Sequence, residues 1–104
     1  MPKASIKQIK TTTAQHEQLL NIARTTNSTI SQVVNTALTI FLAYRSEIAE
    51  THQEYLTSPE PGKYRSYWFD DSLIKHVKRY ADIDGVSQNR IIYTSIFKYC
   101  QDKK

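Results

Sequence analysis

The residues able to do covalent or metal chemistry are few in this chain, and their spacing does not gather them. His16, His52 and His76 stand at no spacing that would bring them to one metal ion or make one of them a catalytic base. Cys100 is the only cysteine, so an intrachain disulfide and a cysteine-rich zinc site are both excluded. It reads as a small apolar residue near the end of a helix. Asp70 and Asp71 read as capping at a helix start rather than as a carboxylate pair for acid–base work. No Ser–His–Asp grouping emerges, and two glycines, Gly62 and Gly85, cannot build a phosphate-cradling loop. The expectation is therefore no catalytic residue, no metal, no cofactor and no small-molecule substrate: not an enzyme.

What remains is binding chemistry. Lysine and arginine total 14 against 10 acidic residues, a net charge of +4. The excess is spread evenly, with 5 basic and 3 acidic residues in 1–52 and 9 and 7 in 53–104. Such mild basicity permits a nucleic-acid partner without requiring one. A hydrophobic share of 39% is enough for a packed core. No apolar run nears the roughly 20 residues that span a bilayer. The start, "MPKASIKQIKTTT", has no signal-peptide core. A cytoplasmic location away from membranes is the expectation.

The elements follow from periodicity and punctuation. Residues 5–11, "SIKQIKT", read as a short strand. Residues 14–25 read as a helix with Leu19, Leu20, Ile22 and Ala23 on one side and His16 at its boundary. Asn27 can close it in the left-handed conformation. Thr29 and Gln32 have the spacing of a capping box. A helix then carries apolar positions at a 3–4 spacing from Ile30 through Ala49 and runs on towards Glu54. The connector "TSPEPGK", residues 57–63, breaks it. "YRSYWF", residues 64–69, is a second strand. A helix over 71–83 turns Leu73, Ile74, Val77, Tyr80 and Ala81 inward and ends at Gly85. Ser87 caps a last helix with Ile91, Ile92, Ile96, Tyr99 and Cys100. Tyr55, with Ile48 and Ala49, is left to cover the connector or to meet another protein.

The two halves are one pattern written twice, without gaps, 58 residues apart: "TNSTISQVV" at 26–34 and "DGVSQNRII" at 84–92. Leu19 falls on Val77, Ala23 on Ala81, Asn27 on Gly85, Thr29 on Ser87, and Val33-Val34 on Ile91-Ile92. The organisation is strand–helix–helix, twice: 1–56, a linker 57–63, and 64–104. Half of 104 residues rarely folds alone, so the copies are expected to share one core.

The spacing Ala23-x-x-x-Asn27-x-Thr29-x-Ser31-x-Val33-Val34-x-x-Ala37-Leu38, after a short strand and a helix, resembles the ribbon-helix-helix family of the Arc and MetJ repressors. The second copy, Ala81 to Ile96, resembles it equally, and the tandem is similar to proteins of the TraY type. The resemblance implies a mostly α fold with a two-stranded antiparallel ribbon, a tandem pseudo-dimer in one chain. It implies that the ribbon lies in the major groove of double-stranded DNA, where alternate outer side chains read base edges. Those positions are Ile6, Gln8 and Lys10, and Tyr64, Ser66 and Trp68. Gln8 suits adenine and Lys10 guanine. Trp68 departs from the polar or basic groups usual there; it either meets thymine methyls or sugar, or tucks back onto the protein. A bulge would put Lys7, Arg65 and Tyr67 in the groove instead. The turns Thr29–Ile30–Ser31 and Ser87–Gln88–Asn89 would present amides to phosphate, with Arg90 and Lys63 beside them. The rival place for Arg90 is an ion pair with Asp82 or Asp84.

Because the strands differ, each half is expected to read a different sub-site, and the operator need not be palindromic. Transcriptional repression is the expected use, with accessory binding in a relaxosome at a plasmid transfer origin as the runner-up. Further copies of the chain on adjacent sites are possible partners. An antitoxin or protein-interaction module is the alternative from another class, although only "QDKK" trails the last helix.

Overall fold

A computed structural model describes residues 3–47 and 55–103. Six elements follow in order: β1 (Ala4–Thr11), α1 (Thr13–Thr25), α2 (Ile30–Glu47), β2 (Lys63–Asp70), α3 (Asp71–Asp84) and α4 (Gln88–Asp102). The described residues are mostly helical, with four helices and one two-stranded antiparallel sheet. The expected continuation of α2 towards Glu54, with Ile48 and Ala49, lies outside the described residues.

The helix ends are set by local chemistry. Thr12 and Gln15 form a capping box at α1 that the sequence reading did not mark. Thr29 and Gln32 form one at α2: the Gln32 amide donates to Thr29 Oγ1 at 3.1 Å, and the Thr29 amide donates to Gln32 Oε1 at 2.8 Å. Ser87 Oγ accepts from the Arg90 amide at α4. Asn27 and Gly85 occupy the left-handed region, at φ 53° and 67°, where the chain must reverse between the helices of each pair. One capping expectation is corrected. Asp70 sits at the N-cap of α3 but accepts no capping hydrogen bond. Asp71 accepts from the Ser5 hydroxyl instead, and its amide donates to Lys3 O, so this junction is fastened to the start of β1.

The core draws on every element. Ile9 of β1 and Tyr67 and Phe69 of β2 are buried on the inner face of the ribbon, in one cluster with Leu19, Ile74 and Val77. Val33, Val34 and Leu38 of α2 pack in the same cluster as Ile91, Ile92 and Ile96 of α4, the positions 58 residues on. Leu20 was expected inward; it is 41% exposed, because its position turns away from the face that Leu19 and Ala23 bury. Cys100 is buried near the end of α4.

One charged pair lies inside. Arg45, in the last turn of α2, grips Asp84 at the end of α3 with two parallel bonds, Nε to Oδ2 at 2.9 Å and Nη2 to Oδ1 at 2.6 Å. The Tyr55 hydroxyl also donates to Asp84, and the guanidinium lies 4.7 Å from the Tyr80 ring centroid. The Arg45 hydrogen bond holds the Asp84 carboxyl below its ordinary pKa and raises that of Arg45; burial pushes the Tyr55 phenol up to about 12. Tyr55 is thus a core residue, edge-on to Phe41. The Leu56 amide donates to Thr94 Oγ1, which anchors the start of the connector on α4.

Removing one member of a buried pair leaves the other charge stranded. Asp84→Ala is expected to destabilise by about 3–5 kcal/mol, read as a lower urea midpoint. Glu60→Ala, which breaks an exposed pair, is expected to shift it by less than about 1 kcal/mol. The Asp84 carboxyl has a folded pKa below its unfolded value. Its stabilisation is therefore complete above the unfolded value of about 4 and fades as pH falls through the folded one. The wild type should lose this share in acid titration, and Asp84→Asn should lack it.

Candidate nucleic-acid interface

β1 and β2 pair without a bulge: Ala4 faces Asp70, Ile6 faces Trp68, Gln8 faces Ser66, Lys10 faces Tyr64 and Thr11 faces Lys63. Alternation then decides which side chains look out. Ile6, Gln8, Tyr64, Ser66 and Trp68 are exposed on the outer face, and Lys10 lies partly exposed on it. Trp68, half exposed, does not tuck back onto the protein.

The alternative set is corrected. Lys7, Arg65 and Tyr67 belong to the inner face, because the register has no extra residue to turn them over. Lys7 Nζ donates to Gln88 Oε1 at 3.3 Å. Arg65 Nη1 is occupied by Thr11, donating to its carbonyl at 2.8 Å and its hydroxyl at 3.0 Å. The Tyr67 hydroxyl, fully inside, meets Thr11 Oγ1 at 3.2 Å and His16 Nδ1 at 3.0 Å. Burial, with Arg65 nearby, lowers the His16 pKa.

Two helix starts flank this ribbon. Asn35, in the second turn of α2, donates from Nδ2 to Trp68 O at 2.8 Å and accepts from the Asp70 amide at 2.9 Å. On the other side, Asn89 Nδ2 donates to Gln8 O at 3.4 Å. The turns Thr29–Ser31 and Ser87–Asn89 are thereby held beside the outer face; the caps take the Thr29, Gln32 and Arg90 amides, and the amides of Ile30, Ser31, Gln88 and Asn89 lie in first turns, where no intrahelical carbonyl accepts from them. Thr29, Ser87 and Asn89 are exposed; Ile30, Ser31 and Gln88 are partly so. Lys63 is exposed at the connector end of β2. Arg90 is corrected. Its Nη2 donates to Tyr55 O at 2.6 Å, so it turns towards the connector. It meets neither Asp82 nor Asp84; the latter is taken by Arg45 and Tyr55.

The chain matches no family model, no curated protein and no solved structure. No helix among the described residues is long and apolar enough to cross a membrane. Within those residues no three His, Cys, Asp or Glu side chains gather around a metal-sized space.

Two residues that brace the outer ribbon face carry no motif in the sequence. Asn35 sits mid-helix, where Asn is a poor choice unless its amide has a task, and that was the available signal. Glu60, on the connector, holds Lys10 Nζ in an ion pair across 50 residues; only the fold could reveal it.

The His16–Tyr67–Thr11 chain supports the ribbon from below, and it favours neutral histidine. A folded pKa below the unfolded value of about 6.5 means that stability is complete above that value and falls as pH drops through the window beneath it. The thermal midpoint of the wild type should decline as pH falls below about 6.5. In His16→Gln, which keeps a partner for Tyr67, the decline should be flatter.

Proposed function

We propose that this chain is a sequence-specific double-stranded DNA-binding protein that lays the β1–β2 ribbon in the major groove, acting most directly as a transcriptional repressor. The carrying observation is the outer ribbon face. It presents base-reading side chains in alternation between two helix starts that can take phosphate. A two-stranded ribbon fits the groove, and Gln8 at its centre has the amide that pairs with adenine.

The finer architecture belongs to the same proposal. We read the two strand–helix–helix copies as a tandem ribbon-helix-helix related by a local two-fold axis. Gln8 and Ser66, 58 residues apart, face one another in the ribbon, so the pairing register and the sequence repeat share one centre. Equivalent positions also meet in the core, Val34 with Ile92 and Leu38 with Ile96 as members of one cluster. Accessory binding at a plasmid transfer origin rests on the same chemistry and differs in where the site lies. A protein-interaction role has one supporting observation, the three exposed apolar or aromatic side chains Ile6, Tyr64 and Trp68 on that face.

Gln8→Ala with Lys10→Ala should abolish preference for a specific site over random DNA, expected at about 10³ or more in the wild type, while leaving the helical circular dichroism intact. Binding should weaken steeply with salt. Trp68 is the only tryptophan, so its fluorescence reports directly on the ribbon face. Site DNA should change its emission, and an unchanged emission with full binding would place the DNA elsewhere. Capture of a protein partner that quenches Trp68 in the absence of any DNA preference would favour the interaction role.

A further inference from the structure

We propose that the ribbon reads two chemically different half-sites: thymine methyl groups at the Ile6–Trp68 end and a guanine edge at the Lys10–Tyr64 end, about four base pairs apart. This rests on the reading of the ribbon as a DNA-binding face.

The register makes the ends unlike. Ile6 lies opposite Trp68, and both are about half exposed, at 48% and 50%. Lys10 lies opposite Tyr64, with its Nζ 5.9 Å from the ring centroid. The 58-residue repeat places Lys10 on Trp68 and Ile6 on Tyr64. The local two-fold thus exchanges an apolar end with a cationic one, where a symmetric dimer would repeat one end twice.

Each end has one good match in the groove. A paired aliphatic and aromatic surface is apolar apart from the indole N–H, and the thymine methyl is the apolar group that the major groove offers. Trp68 is also held ready. Asn35 fastens the backbone at Trp68 O and at the Asp70 amide, so the ring projects from a fixed base and loses little freedom on contact. The position equivalent to Asn35 is Tyr93, which bonds Gln15 instead, so the cationic end is held differently, by Arg65 on Thr11 O and Gln15 on the Thr12 amide. Its reader is a flexible ammonium with donors only, and guanine presents two acceptors, O6 and N7. Lys10 is now held by Glu60, an exposed carboxylate on the connector. Phosphates repel that carboxylate, so guanine takes over as acceptor when the groove closes on the ribbon.

The spacing follows from the strand. Four residues in an antiparallel strand span about 14 Å, the rise of about four base pairs.

The test begins with selection from a random duplex library by the wild-type chain. Thymines of the enriched site are then replaced singly by uracil, which removes only the methyl, and guanines by 7-deazaguanine, which removes N7. The expected result is a loss of about fourfold per methyl at one end, and of about fivefold or more for a guanine about four base pairs away. Trp68→Ala should erase the uracil sensitivity and keep the 7-deazaguanine one; Lys10→Ala should do the reverse. An enriched site that ignores uracil, or a Trp68→Ala variant that still distinguishes thymine from uracil, overturns this inference and leaves the DNA reading standing. No enrichment from the library overturns both. The base replacements need no variant, so a misfolded mutant cannot obscure the answer.

Discussion

Two strands that lie far apart in the sequence supply each other's hydrogen bonds. Every other feature depends on that pairing. A lone β1 or β2 would leave backbone donors and acceptors open on both edges. Pairing fixes which side chains turn down onto the helices and which turn out, and the absence of a bulge keeps that division along all eight residues of each strand. Ile9, Tyr67 and Phe69 then become the roof of the core. The outer face is what is left over once the inner one is satisfied, so its composition is free to serve recognition.

Beneath the ribbon, α2 and α4 carry most of the buried aliphatic surface, and the reversals at Asn27 and Gly85 fold α1 and α3 back beside them. The Arg45–Asp84–Tyr55 group ties the end of α2 to the end of α3 and to the residues just before the connector. A charged pair inside is a poor source of net stability compared with apolar packing. Its directionality is the gain: two parallel bonds and a hydroxyl set how three separate segments meet, which close packing of aliphatic groups alone would leave less sharply defined.

Much of this was legible in the sequence because it is local. Thr29 with Gln32, Ser87, Asn27 and Gly85 announce helix ends through bonds or backbone angles spanning a few residues. The alternation of each strand gives its faces once a partner exists. Reading failed where a side chain's partner lies far along the chain. Arg90 looked available for phosphate, but the Tyr55 carbonyl claims it; Asp70 looked like a cap, but Asp71 and Ser5 fasten that corner. Leu20 was assigned by hydrophobicity although the turn of α1 points it outward. Asn35 and Glu60 carried no periodic signal, since each acts through contacts with a distant strand, two for Asn35 and one for Glu60.

The two ribbon strands belong to one covalent chain, joined through the connector anchored by Leu56 on Thr94. Bringing them together is therefore a unimolecular event, and the effective concentration of one half around the other is set by tether length, not by how much protein a cell makes. A face built from two separate chains comes apart on dilution, and its occupancy rises with a power of the dose. Here both strands of the face come with each molecule, so its formation does not depend on how many copies are present. The same tether lets each strand change its residues without imposing the change on its partner.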